Sequence, residues 1–266
     1  MNPPLGRGIG LSFRNLLYDS QDGVARISVN RPPLNILNLE TLLELTVALE
    51  RARNDASIAV VVITGVGDRA FCAGVDIRDH MPEKVSSTLP AFNKVFYTLE
   101  SLDKPTVAIV NGVALGGGCE LAMGCDMIIA SEKAQFGQPE IKVGAIPPVA
   151  VALLPKLVGH KKAFELVLTG DVITAAEAKQ IGLVNKVVPP EKLEEATNEL
   201  VAKLKESSPI VVKLTRMAFR QSLDLDFKNG LEKVTDIYLN LLMRTEDSVE
   251  GLKAFLEKRK PQWKGK

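Results

Sequence analysis

TVAIVNGVALGGGCELAMGCDMIIA, Thr106 to Ala130, is the stretch whose reading decides the fold class. Thr106 to Val110 is an unbroken apolar and β-branched run, the composition of a strand buried on both faces. Gly116 to Gly118 then open a short apolar helix that ends near Gly124, and Met127 to Ala130 reads as the next buried strand. Upstream, Ala59 to Ile63 (AVVVI) repeats the buried-strand signal, and helical periodicity from Ala91 to Leu102 separates it from Thr106. Earlier still, Ala25, Ile27 and Val29 alternate with polar neighbours, which predicts a half-buried strand. Asn38, after RPPLN, can cap a helix whose Leu39, Leu42, Leu43 and Leu49 make one apolar face. The alternation predicts an α/β fold with parallel strands and right-handed crossovers. Those crossovers are unequal, and two are too short for a regular doubly wound sheet. From about Pro190 the strands stop. Glu191 to Glu206, Pro209 to Ser222, Phe227 to Met243 and Glu246 to Lys258 all read as helices. Leu231, Val234, Tyr238, Leu241 and Leu242 form a stripe that would cover the core or a subunit interface. No internal sequence repeat is visible.

Composition narrows the chemistry. The chain has 266 residues, 46% hydrophobic and 24% charged, with a net charge of +1. That length can bury a substantial core, and the near-neutral balance lacks the basic surplus that phosphate neutralisation requires, so no nucleic-acid partner is expected. No apolar run reaches the roughly 20 residues that span a bilayer; the longest, Val143 to Leu154, is cut by Pro147 and Pro148. MNPPLGRGIG lacks the apolar segment of a secretory signal, so a cytoplasmic, membrane-free protein is expected. The three cysteines (Cys72, Cys119, Cys125) form no C-x-x-C pair and no disulfide framework or zinc site is expected. The two histidines, His80 and His160, read as a loop residue and a helix-start or surface residue. If the protein is an enzyme, carboxylates and backbone groups carry its chemistry.

Gly65-Val-Gly67-Asp-Arg-Ala70 follows a strand and fits G-x-G-x-x-A, but FCAGVDI comes next where a dinucleotide site needs an amphipathic helix. Gly112 to Cys119 lacks the Lys-Ser/Thr ending of a phosphate loop. Its glycines still let backbone approach a ligand, and free N–H groups there can stabilise a negative oxygen; tight backbone packing is the plainer explanation. Glu120 lies on an almost wholly apolar helix, where a carboxylate is forced into partial burial; a first-turn carboxylate meeting the helix dipole is the alternative. Glu140, in FGQPEIKVG, reads equally well as an ordinary first helical turn. Two such glutamates could share a water and move protons, provided they lie close together.

AFCAGVDI (Ala70 to Ile77), NGVALGGGCELA (Asn111 to Ala122) and FGQPEIKVGAIP (Phe136 to Pro147) resemble the crotonase superfamily, most closely its enoyl-CoA hydratases. The resemblance runs from RPPLN to the terminal AFLEKRKP. It implies a spiral of ββα units over residues 1–200 and a helical trimerisation region over 201–266, assembled as a homotrimer or a dimer of trimers. It implies an acyl-CoA thioester substrate, with coenzyme A as part of that substrate and no metal or redox cofactor. The backbone N–H groups of Val75 and Gly117 would form the oxyanion hole, and Glu120 and Glu140 the catalytic pair. CoA contacts would come from the backbone around Ala73, Asp76 and Ile77. Lys258 would reach a phosphate, from its own or a neighbouring subunit, although a solvated basic helix end explains it equally well. One segment departs from the family pattern: a run of small residues, then threonine and an arginine-containing helix, usually follows Gly144-Ala-Ile-Pro147. This chain has Pro148-Val-Ala-Val-Ala-Leu-Leu-Pro155 instead, which would stiffen the turn and fill space beside Glu140. With PPLNILN (Pro32 to Asn38), it resembles hydratases of cyclic dienoyl-CoA. Isomerase chemistry on Glu140 alone, and a non-catalytic CoA-binding or RNA-associated scaffold, are the competing readings.

Overall fold

The computed structural model describes residues 12–266 and contains two sheets. The larger runs in the order β1 (Leu16–Gln21), β2 (Val24–Val29), β3 (Val60–Gly65), β5 (Thr106–Val110), β7 (Met127–Ser131) and β10 (Lys186–Val188). Only the β1–β2 pair is antiparallel. The smaller joins β4 (Ala70–Cys72), β6 (Val113–Leu115), β8 (Gln135–Gly137) and β9 (Val172–Thr174), the first three parallel to one another. The chain passes from large sheet to small sheet three times, β3 to β4, β5 to β6 and β7 to β8. After these passes come α2 (Pro82–Ser101), α3 (Gly117–Met123) and α4 (Pro148–Val158) in turn. That is the spiral of ββα units. Then α5 (His160–Thr169), β9, α6 (Ala175–Gln180) and β10 close it.

Burial on both faces of the large sheet follows from its composition. Val61, Ile63, Ala108 and Val110 face the main core, while Val60, Val62, Val107 and Ile109 face Ala196 and Val201 of α7 (Leu193–Lys205). In α1 (Leu39–Asn54), capped by Asn38 through a 3.0 Å bond from the Thr41 N–H, Leu42, Leu45 and Leu49 are fully buried. Leu43 is 54% exposed and Leu39 half-buried, a correction to the expected face. A residue next to Leu42 lies about 100° round the helix and leaves the stripe.

The G-x-G-x-x-A stretch leads from β3 at Gly65 into β4 at Ala70, with no helix to receive a pyrophosphate. The terminal helices α8 (Pro209–Ser222), α9 (Phe227–Asn240) and α10 (Glu246–Leu256) follow. Arg216 fastens α8 to the body: its guanidinium is 9% exposed, bonds Asp126 at 2.8 Å and the Leu99 carbonyl at 2.7 Å, and also reaches the Leu102 carbonyl. Of the expected stripe, Leu231, Tyr238 and Leu241 are exposed, and the residue that packs inward is Ile237. No helix among the described residues is long and apolar enough to cross a membrane.

Candidate active site

Parallel pairing within the small sheet determines which residues meet. Ala70 pairs with Val113 and Cys72 with Ala114; Val113, Ala114 and Leu115 pair with Gln135, Phe136 and Gly137. The segments leaving β4, β6 and β8 therefore emerge at one edge, where open parallel sheets present their binding crevices. They carry Ala73 to Val75, Gly116 to Glu120, and Gln138 to Glu140. A cavity of about 210 Å³ lies there, lined by Val75, Gly117, Glu120 and Glu140, with Val85, Thr88, Leu89 and Phe92 of α2 and Ala145, Ile146 and Pro148 beyond. The four residues expected to act thus line one pocket.

Val75 lies in a loop braced by a strap before α1. Leu37 N–H donates to the Gly74 carbonyl at 2.9 Å, and Asp76 N–H donates to the Leu37 carbonyl at 2.7 Å. Leu37 and Val75 are bridged as in a parallel pair. Alternate backbone groups point to opposite sides of an extended chain, so the Val75 N–H is directed away from that pairing. Gly117 opens α3, where the first N–H groups have no intrahelical acceptor. Its lack of a side chain is required by fit: a β-carbon there would lie 2.7 Å from Val75 Cγ2 and 3.1 Å from Phe92 Cε2. Gly116, at φ +51°, keeps its missing β-carbon out of the space taken by Glu140 Oε1.

Glu120 is 2% exposed, and its Oε1 accepts the Val149 N–H at 2.7 Å and the Ala150 N–H at 2.9 Å. Both donors belong to the first turn of α4, so the carboxylate holds the start of that helix. Burial pushes the Glu120 carboxyl up to about 8, and the nearby Glu140 charge adds to the rise. Glu140 sits in a short 3-10 turn, Pro139–Val143, with proline first. Burial raises its pKa as well, and its Oε2 is buried with no hydrogen-bond partner among the described residues. Two carboxyls lining one pocket, both shifted by burial toward the protonated form, can hold and exchange a proton.

The departing segment acts through different residues than expected. Pro148 begins α4 and lines the cavity with Ala145 and Ile146, while Val149 and Ala150 serve Glu120 through their backbone. Asp76 is committed within the protein: it caps the 3-10 turn Ile77–His80 and binds the Arg78 guanidinium at 2.8 and 3.0 Å, which holds its pKa down at about 2. The Ala73 N–H is taken by the Leu34 carbonyl at 3.0 Å, and Ile77 is 56% exposed. Lys258 is exposed just beyond α10 and does not line the cavity. His160 is exposed on α5, whereas His80, in a short 3-10 turn and not a loop, lines the pocket. Sequence reasoning missed the Val149 and Ala150 donors and the Leu34 to Leu37 strap. Helix-start prolines at Pro147 and Pro148 were the available signal for the donors. Among the described residues no group of three or more His, Cys, Asp or Glu side chains is placed to hold a metal ion.

Residues 19–266 match the family model described as enoyl-CoA hydratase/isomerase. The chain belongs to the enoyl-CoA hydratase/isomerase family. It is similar to the crotonyl-CoA hydratase of Syntrophomonas wolfei, 39% identical over 255 residues that cover 94% of this chain and 98% of that protein. The short-chain-enoyl-CoA hydratase of Clostridium acetobutylicum is 40% identical, covering 94% and 97%. Among solved structures, the enoyl-CoA hydratase from Bacillus anthracis superposes with a TM-score of 0.90 at 38% identity, covering 95% of this chain and all of that one. Relatives of this family therefore share both the sequence and the spiral.

Proposed function

We propose that this protein hydrates 2-enoyl-CoA thioesters. The observation that carries the reading is the meeting of Glu120 and Glu140 in one cavity with Val75 and Gly117. The thioester oxygen is received by the Val75 and Gly117 N–H groups. Water, held by the two carboxyls, adds its oxygen to C3. Its proton passes to the ionised carboxylate, the C2–C3 π electrons move toward the thioester, and the oxygen gains enolate charge. The protonated carboxyl then delivers its proton to C2, restoring the thioester carbonyl. Each oxyanion donor is worth roughly 3–4 kcal/mol of barrier. Protons and no electrons change hands, so the scheme calls for no redox cofactor, and coenzyme A arrives with the substrate.

The Glu pair is assigned as a unit, because coupled carboxyls titrate together. Ala73 and Ile77 are the CoA-facing positions of the β4 loop; Asp76 serves by holding that loop, and Lys258, exposed beyond α10, would reach a phosphate of its own or a neighbouring subunit's CoA. A homotrimer, or a dimer of trimers, accounts for the exposed Phe219, Leu223, Phe227, Leu231 and Tyr238 on α8, α9 and their connection. The expected boundary at 200/201 falls inside α7, whose Val201 packs on the large sheet, so the helices after α7 would form that assembly region and the described residues up to the end of α7 the catalytic spiral, in the cytoplasm.

A second reading, hydration of a cyclic dienoyl thioester, is favoured by one observation. Pro148, the first residue of the departing segment, walls the cavity where the family pattern has a small residue. Offering crotonyl-CoA and cyclohexa-1,5-diene-1-carbonyl-CoA side by side, with product mass followed, separates the two. One added water on crotonyl-CoA supports the general hydratase. Addition only to the cyclic thioester supports the specialised one.

A further inference from the structure

Asn35 is fully buried, at φ +55°, in the middle of the strap that braces Val75. Asparagine is among the few side chains that enter this left-handed region readily. Every polar atom of its side chain is used. Its Nδ2 donates to the Ala70 carbonyl at 2.8 Å and to the Val66 carbonyl at 3.0 Å, while its Oδ1 accepts the Arg31 N–H at 3.1 Å. Ala70 begins β4 and Val66 follows β3, so one amide ties the strap to the link between the two sheets. Gly65 leaves room for it: a β-carbon there would lie 2.7 Å from Asn35 Nδ2. Arg31 closes the same strap from outside, its Nη1 donating to the Ile36 carbonyl at 2.9 Å. The strap in turn fixes the loop at three points on either side of Val75. Leu34 accepts from Ala73, Leu37 donates to Gly74, and Leu37 accepts from Asp76.

We infer that Asn35, assisted by Arg31, is a positioning residue that sets where the Val75 N–H stands relative to the thioester oxygen. The inference rests on the oxyanion-donor assignment made under Proposed function. Neither side chain lines the cavity. Their effect runs through the strap and, for Arg31, also through its 3.6 Å ion pair with Asp76 of the loop itself, and its physical basis is the tolerance of an oxyanion donor. Such a donor must meet the oxygen within hydrogen-bond distance, and a displacement near 1 Å costs about 100-fold in rate. A fully satisfied buried amide holds a single geometry, whereas its loss lets the strap and the β4 loop drift together.

The test uses the intact protein with butanoyl-CoA carrying ¹³C at the thioester carbon, an unreactive saturated probe, read by difference infrared spectroscopy. In the wild type the bound carbonyl band should lie below its position in water, because two N–H groups polarise it. Asn35→Gly keeps the positive φ accessible and removes the amide. Its band should return part of the way to the aqueous position, with kcat on crotonyl-CoA falling about 30-fold and KM changing less than about threefold. Arg31→Ala, a change at a partly exposed side chain, should move the band in the same direction by less, and it decides the matter if Asn35→Gly does not fold. Variants that keep the wild-type band, losing activity only in proportion to unfolded protein, would overturn the inference. A wild-type band at the aqueous position would overturn the donor assignment itself, and this inference with it, while hydration of crotonyl-CoA is read separately.

Discussion

Replacing Glu120 by glutamine separates its structural role from its chemical one. Glu120 Oε1 accepts two N–H groups from the first turn of α4, at 2.7 and 2.9 Å. An amide carbonyl in the same place can accept both, so α4 stays docked while the charge and the exchangeable proton are lost. The stability effect has a definite sign. Burial raises the carboxyl from its ordinary 4.5 to about 8, so between those values the folded protein holds a proton that the unfolded chain releases. The contribution of Glu120 to wild-type stability is therefore greatest below 4.5, falls as pH rises toward 8, and levels off above it. For a group this buried the full difference is about 5 kcal/mol. Glu120→Gln has no such dependence, and at about pH 9 it should exceed the wild type by roughly 3–5 kcal/mol. Urea unfolding at about pH 5 and about pH 9 reads this directly. The same variant should lose about 10²–10⁴-fold in crotonyl-CoA turnover, because nothing at that position can take or give a proton. A variant whose stability declines with pH as steeply as the wild type, or whose turnover stays within a few-fold, refutes the reasoning.

Other outcomes follow from the same geometry. Hydration needs one carboxyl ionised and one protonated, and burial raises both Glu120 and Glu140. The wild-type rate should therefore trace a bell, its acid limb above the ordinary 4.5 and its alkaline limb near 8, and Glu140→Gln should abolish that shape along with at least about 100-fold of the rate. Gly117→Ala pushes a methyl against Val75 Cγ2 and Phe92; kcat should fall about 100-fold with the fold intact by circular dichroism. Arg216→Ala leaves the Leu99 and Leu102 carbonyls at the end of α2 without their donor and Asp126 with Arg220 as its partner cation, so thermal and urea unfolding should show a loss of about 2–4 kcal/mol.

Much of the architecture was legible because burial on both faces leaves a plain mark. Thr106–Val110 and Pro209–Ser222 have the bounds that periodicity and the helix-start proline predict. The strands of the small sheet were not legible: Ala70–Cys72, Val113–Leu115, Gln135–Gly137 and Val172–Thr174 are three residues each, too short to display a period. The ββα repeat is hidden for the same reason, since its units share geometry and not residues. The edge strand Leu16–Gln21 escaped because most of its side chains are exposed. Helix α2 begins at Pro82, nine residues before the expected Ala91, because Pro90 stands inside it, where a proline reads as a helix start, and within 82–90 only Thr88 is buried. In the site, Glu120 stood out by its apolar surroundings. Its nearness to Glu140 did not, because it depends on the register between β6 and β8.

Glu120 and Glu140 are proposed to place a water on an enoyl thioester held by Val75 and Gly117. Incubation of the wild type with crotonyl-CoA in water enriched in ¹⁸O, with the product weighed by mass spectrometry, tests it most directly. The account predicts a hydroxyacyl-CoA heavier by one water and carrying the heavy oxygen. A product of unchanged mass, with the double bond merely moved, would contradict it.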